Sequence, residues 1–193
     1  MTSIVILAAG SSSRFGSPKQ NLVFDGQTLL QRAIKNALAV TEIVIVVLGA
    51  NREDIEYTIK DHPVNILYNP NWPEGMATSI SLAIETIQRD YLGVTSAIFM
   101  LCDQPFADGV LLNELVKAAG SSDKGIIASE YNNTLGVPAL FKQGYFPYLM
   151  ALKGKEGAKK LLGLHADDVQ SVPFALGGVD IDTMEDWERF NKN

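Results

Sequence analysis

The sequence predicts an α/β fold in which a mostly parallel sheet is covered by helices on both faces. Two observations carry that expectation. Short apolar, β-branched runs recur along the chain, and the stretches between them have helical period. The runs are continuous rather than alternating, as in strands buried on both sides, and parallel strands are buried in that way.

In chain order the predicted strands are residues 4–7, 43–48, 64–67, 97–101, 125–128 and 137–141. Leu30, Ala33, Ile34, Ala37 and Leu38 fall on one face of a first helix. Met76, Ile80, Ala83, Ile84 and Ile87 mark a second, and Leu111, Leu112, Leu115, Val116 and Ala119 a third. Near the end, Thr183 with Asp186 three residues later reads as a capping box ahead of Trp187 and Phe190. No repeat, low-complexity tract or long linker divides the 193 residues, so residues 1–193 read as one domain.

Composition narrows the function classes. A net charge of −6 argues against a nucleic-acid partner, whose phosphates call for a basic face. No run of eighteen apolar residues predicts a membrane span, and no basic segment precedes the first apolar run as a signal peptide requires. A lone cysteine, Cys102, forms no internal disulfide and fits a reducing cytoplasm. It reads as a small buried hydrophobe, and the isolated His62 and His165 are not convincing catalytic groups.

In open parallel sheets, ligands bind beyond the carboxyl ends of the strands. Three polar segments are expected there. The first, in "VILAAGSSSRFGSPKQ", follows the first strand with glycines, serines, Arg14 and Lys19. It is not a P-loop, because five residues rather than four separate Gly10 from Gly16 and Ser17 follows. It is not a dinucleotide fingerprint either, since Ser12 holds the second glycine position. A glycine loop whose N–H groups cradle a triphosphate, neutralised by Arg14 and Lys19, is the functional reading. A solvent-exposed connection is the plain one.

The second segment, "CDQP", sets Asp103 directly after a buried strand, where a carboxylate suits Mg²⁺ shared with substrate phosphates. Alternatively, Asp103 forms a turn or caps the following helix. The third, "DIDT", leaves Asp180 and Asp182 unexplained by the capping box, so either could complete a magnesium site with Asp103. A loop in "NPNWPEGMATSI" could wall a nucleotide pocket, with Gly75 opening a helix and Ser79 near its N-terminus.

Together these segments, with "GVPALF" and "GKEGAKKLL", resemble the molybdenum cofactor cytidylyltransferase branch of the MobA-like nucleotidyltransferases over the whole chain. The resemblance implies a Rossmann-like α/β/α sandwich, of the nucleotide-diphospho-sugar transferase type. It implies Mg²⁺-dependent transfer of CMP from CTP to molybdopterin, with release of pyrophosphate and a molybdoenzyme as the eventual recipient. It carries Arg14, Lys19 and Asp103 as catalytic groups and Asp103 with Asp180 or Asp182 as metal ligands. Nucleotide contacts fall on Leu7, Ala8, Ala9 and Gly10, on Arg14, Lys19 and Asp103, and on Gly75 and Ser79. "LAAG" resembles the CTP-using branch. Departures lie on the acceptor side: Val137 replaces a frequent histidine, and Lys155 and Lys159 stand where the family often has aspartate and arginine. The alternatives are transfer to a sugar or polyol phosphate, a nicotinamide-dependent reductase resembling nicotine blue oxidoreductase, and a non-catalytic delivery module.

Overall fold

The computed structural model describes residues 1–12 and 15–191. The first strand, β1 (Thr2–Ala8), leads through a long loop to a small hairpin, β2 (Val23–Phe24) and β3 (Gln27–Thr28). Then come α1 (Leu29–Leu38), β4 (Val44–Leu48), α2 (Arg52–Ile59) and β5 (Asn65–Tyr68). The helix α3 (Met76–Asp90) returns the chain to β6 (Ser96–Leu101), which is followed by α4 (Gly109–Ser121). An antiparallel pair, β7 (Ile126–Tyr131) and β8 (Thr134–Lys142), precedes α5 (Phe146–Met150), α6 (Lys159–Leu164), β9 (Val169–Pro173) and α7 (Met184–Asn191).

Seven strands form one sheet in the order β5-β4-β1-β6-β8-β7-β9. β1 pairs parallel with both β4 and β6, β4 with β5, and β7 with β9. β8 runs antiparallel to β6 and β7. The sheet is therefore mostly parallel, as the unbroken apolar runs predict, and it has the Rossmann-like doubly wound form. The chain moves from β1 outward to β4 and β5, then crosses back to lay β6 on the other side of β1. The carboxyl ends of β1 and β6 thus flank the switch point, the place where such sheets bind ligands.

Alternation along β1 shows why both faces are covered. Ile4, Ile6 and Ala8 enter one core with Leu30, Ile34, Ile55 and Leu112, whereas Val5 and Leu7 enter the other with Ile80, Ile84, Phe146 and Leu161. The three helices expected from periodicity are present, with one correction. Met76 is exposed at the head of α3 rather than buried with Ile80 and Ile84. Thr28 begins α1 with a capping box, accepting from Gln31 N at 3.1 Å while Gln31 Oε1 accepts from Thr28 N at 2.9 Å.

Candidate active site

A cavity of about 720 Å³ opens at the switch point. The ends of β1 and β6, the segment from Trp72 to Ser79, and Tyr131 and Val137 line it, together with Lys155, Lys159, Asp180 and Asp182. Of the predicted site residues, Leu7, Ala8, Ala9, Gly10, Lys19, Gly75, Ser79, Asp103, Asp180 and Asp182 all border this one space. Arg14 lies outside the described residues.

In the first loop, Gly10 is not the residue that takes an unusual backbone conformation. Left-handed conformations fall on Ser12 (φ 51°) and Gly16 (φ 78°). A Cβ at Gly10 would meet nothing within 4 Å, so its contribution is open space. Gln20, which the sequence reading passed over, holds the loop: it is buried, and Nε2 donates to the carbonyls of Ala8 (2.9 Å) and Gly10 (3.2 Å). Ser12 Oγ donates to Gln20 Oε1 and accepts from Lys19 N, both at 3.2 Å. The only prior signal was a polar residue directly after the lysine, which reads like any solvated glutamine.

Lys19 then meets both distant acidic segments. Its Nζ donates to Asp103 Oδ2 at 2.5 Å and to Asp182 Oδ1 at 2.9 Å. Burial alone would favour the neutral amine, but the Asp103 carboxylate, and then Asp182, outweigh it and hold the ammonium above the usual lysine range. Asp103 is buried and its Oδ1 has no hydrogen-bond partner. Capping of α4 is performed by Asp108, whose Oδ1 accepts from Leu111 N at 2.9 Å, so the helix-cap alternative for Asp103 is not what the chain does.

A small third core explains how residues far apart in sequence meet. Phe15, Leu29 and Ile181 are buried together, with Leu22, Trp187 and Phe190 packed against them. Ile181 N also donates to the Asp103 carbonyl at 3.0 Å. With Ile181 anchored inward, its neighbours Asp180 and Asp182 border the cavity. The expected capping box is present: Asp186 N donates to Thr183 Oγ1 at 3.2 Å, and Asp186 Oδ2 accepts from Thr183 N at 2.9 Å. Asp180 reaches solvent, yet partial desolvation, followed by the charges of Asp103 and Asp182, pushes its carboxyl up to about 6.

The opposite wall rests on Asn69 and Gly75. Buried Asn69 donates through Nδ2 to Thr78 Oγ1 and Ser79 Oγ, both at 2.8 Å, fixing Ser79 beside the cavity. Gly75 adopts φ 122°, and a Cβ there would lie 2.2 Å from the Gly154 carbonyl. Glycine is required on both counts. Through that approach, and an Ala77 N to Gly154 O bond of 3.1 Å, the segment carrying Lys155 and Lys159 docks against the head of α3. Burial pushes the Cys102 thiol up to about 12, which fits a structural rather than nucleophilic cysteine.

Hard carboxylate oxygens, one of them buried and without a partner, suit a cation such as Mg²⁺ or Mn²⁺. Among the described residues, no three His, Cys, Asp or Glu side chains are grouped so as to hold a metal ion by themselves. A cation held here would complete its coordination with other oxygens.

The sheet and its crevice define a Rossmann-like α/β/α protein of the nucleotide-diphospho-sugar transferase type. More specifically, the chain belongs to the MobA-like NTP transferase family, whose domain model matches residues 4–169. It is 33% identical over 92 residues to the molybdenum cofactor cytidylyltransferase of Escherichia coli, 47% of this chain and 48% of that protein. The chain thus matches only about half the length of that relative. It is 28% identical over 196 residues to the purine catabolism protein PucB of Bacillus subtilis, covering 95% of this chain and 93% of PucB. Nicotine blue oxidoreductase of Paenarthrobacter nicotinovorans is 30% identical over 143 residues, covering 73% of this chain and 67% of that enzyme. Among solved structures, Rv0371c of Mycobacterium tuberculosis superposes with a TM-score of 0.85 at 24% identity, covering 100% of this chain and 98% of Rv0371c. Its manganese complex superposes with a TM-score of 0.82 at 23% identity, with the same coverage.

Proposed function

We propose that this protein is a Mg²⁺-dependent cytidylyltransferase that moves CMP from CTP to molybdopterin and releases pyrophosphate. The observation that carries the reading is the meeting of Lys19, Asp103 and Asp182 at the switch point, on a wall continuous with Leu7–Gly10. Similarity to the E. coli cytidylyltransferase and the "LAAG" sequence support CTP and molybdopterin.

Leu7, Ala8, Ala9 and Gly10 would border the nucleotide, Gly75 and Ser79 would face it from the opposite wall, and Lys19 with Arg14 would neutralise its triphosphate. Asp103, with Asp180 or Asp182, would hold the cation. When bound, the cation neutralises phosphate charge and helps to align an in-line displacement. The acceptor's phosphate oxygen forms a bond to the α-phosphorus as the α–β bridging bond breaks, and pyrophosphate leaves. Positioning and charge suffice for such a transfer without a covalent protein nucleophile. Lys155 and Lys159 on the far wall would take the acceptor's anionic group. The single buried cysteine fits a reducing, cytoplasmic setting, and a molybdoenzyme would be the recipient of the product.

The experiment is pyrophosphate release from each of the four NTPs with Mg²⁺, with and without molybdopterin. Release with CTP only when molybdopterin is present is the expected result, and equal turnover of CTP and GTP would remove the cytidylyl assignment. The likeness to nicotine blue oxidoreductase supports one competing reading, a reductase. Oxidation of NADPH without any CTP requirement would favour it.

A further inference from the structure

Lys19 would have two roles in this site, and they exclude one another in geometry. Its ammonium lies between the carboxylates of Asp103 and Asp182, 2.5 Å from one and 2.9 Å from the other. The reading above, on which this inference rests, gives the carboxylates to a cation and the ammonium to a triphosphate. An ammonium in hydrogen-bond contact with both carboxylates leaves no room for a divalent ion between the same oxygens, and two cations there would repel at close range.

The state of the carboxylates favours exchange over sharing. Asp103 Oδ1 is buried, without a partner and closed to solvent while the ammonium holds Oδ2. No three acidic side chains among the described residues form a ready-made cation site. Mg²⁺ and Mn²⁺ commonly take one or two protein carboxylates and complete their shell from phosphate and water oxygens. Lys19 has a partner waiting for it in that arrangement, since it borders the same cavity that would take the phosphates.

We propose that Lys19 and the divalent cation are alternative occupants of the Asp103–Asp182 carboxylate pair, and that a nucleoside triphosphate moves the ammonium from carboxylate to phosphate. Lys19 is then a positioning residue before it is a phosphate ligand. It keeps two facing carboxylates compensated in the nucleotide-free protein, and it lets a cation in only with the nucleotide.

Mn²⁺ titration of the nucleotide-free protein, read by the electron paramagnetic resonance signal of free Mn²⁺, tests this. Lys19→Met is expected to bind Mn²⁺ at least about tenfold more tightly than the wild type, equivalent to about 1.4 kcal/mol. Adding Asp182→Asn to Lys19→Met should take back most of that gain. Lys155→Met removes an exposed positive charge that borders the same cavity from the segment docked on Gly75, and it should change the affinity by no more than about twofold. Equal or weaker Mn²⁺ binding by Lys19→Met would overturn the proposal, and so would an equal gain in Lys155→Met. If Lys19→Met does not fold, Lys19→Arg carries the test, because it keeps a cation on the pair and should show no gain. A tenfold gain there overturns the proposal as well. CTP-dependent pyrophosphate release by the wild type is read separately. Its absence sinks the function proposed above and leaves the nucleotide-free Mn²⁺ titrations standing.

Discussion

The two walls of the cavity are held by different kinds of interaction. On one, Lys19, Asp103 and Asp182 are interlocked by charge, the loop between them is tied down by buried Gln20, and Phe15 and Ile181 share a small apolar core. On the other, Lys155 and Lys159 ride on a segment docked through Gly154 and Gly75, and the ammonium that is paired there is that of neighbouring Lys160, with Glu156. The first wall is preorganised for charge, as electrostatic catalysis requires. On the second, Gly75 is constrained by its close approach to Gly154, whereas Lys155 and Lys159 are exposed and free of that constraint. A chemical step common to many relatives and an acceptor specificity that differs among them would be divided in this way.

The sharpest way to break the comparison is Asp103→Asn. Asparagine keeps the size and can still accept from Lys19, and Asp182 still compensates the ammonium, so the protein should fold with a lowered thermal midpoint while CTP-dependent pyrophosphate release falls by about 10²–10³-fold. Near-normal turnover with a normal Mg²⁺ requirement would show that the interlocked wall is structural only. Gln20→Met comes next. It removes the bonds to the Ala8 and Gly10 carbonyls, the first of them buried, costing about 1–3 kcal/mol of stability by chemical denaturation, and it should raise KM for CTP without touching KM for the acceptor. If both constants move together, the loop does not act on the nucleotide side alone.

Lys159→Gln should do the reverse, raising the acceptor KM by about five- to tenfold, as expected for loss of one solvent-facing ionic contact worth about 1 kcal/mol. Unchanged acceptor kinetics in that variant would remove the second wall from acceptor binding. The smallest effect concerns pH. Asp180 is pushed up to about 6, so it is neutral below that pH and anionic above it. Cation binding in the presence of CTP should therefore strengthen as pH rises through about 6, and Asp180→Asn should flatten that rise. A profile identical to the wild type would exclude Asp180 as the titrating group.

Most of the frame was legible in the sequence, because burial on two faces writes itself as unbroken apolar runs. β9 was not, since "VQSVP" is short, half polar and ends in proline, as edge strands often are. α2 went unread because only Ile55 and Ile59 are buried in it. At the site, the convergence of the three segments followed from the strand-end rule, but the pairing of Lys19 with Asp103 and with Asp182 rather than Asp180 did not. What sequence could not supply was the role of Asp103 as cap or site residue, and which loop residues take the positive angles. Those depend on Asp108 taking the cap and on Ser12 and Gly16 taking the positive angles. Gln20 and Asn69 were invisible for a related reason, as a buried amide and an exposed one look alike in one dimension.

The third core also sets the order in which the site can be finished during synthesis. A ribosome releases β1, Lys19 and β6 well before Ile181, Trp187 and Phe190, and domains generally fold as units. Until the last of these side chains arrives, Phe15 and Leu29 lack their cover and Lys19 has Asp103 but not Asp182. The charged half of the cavity therefore closes only once the segment carrying Ile181 and Asp182 has emerged.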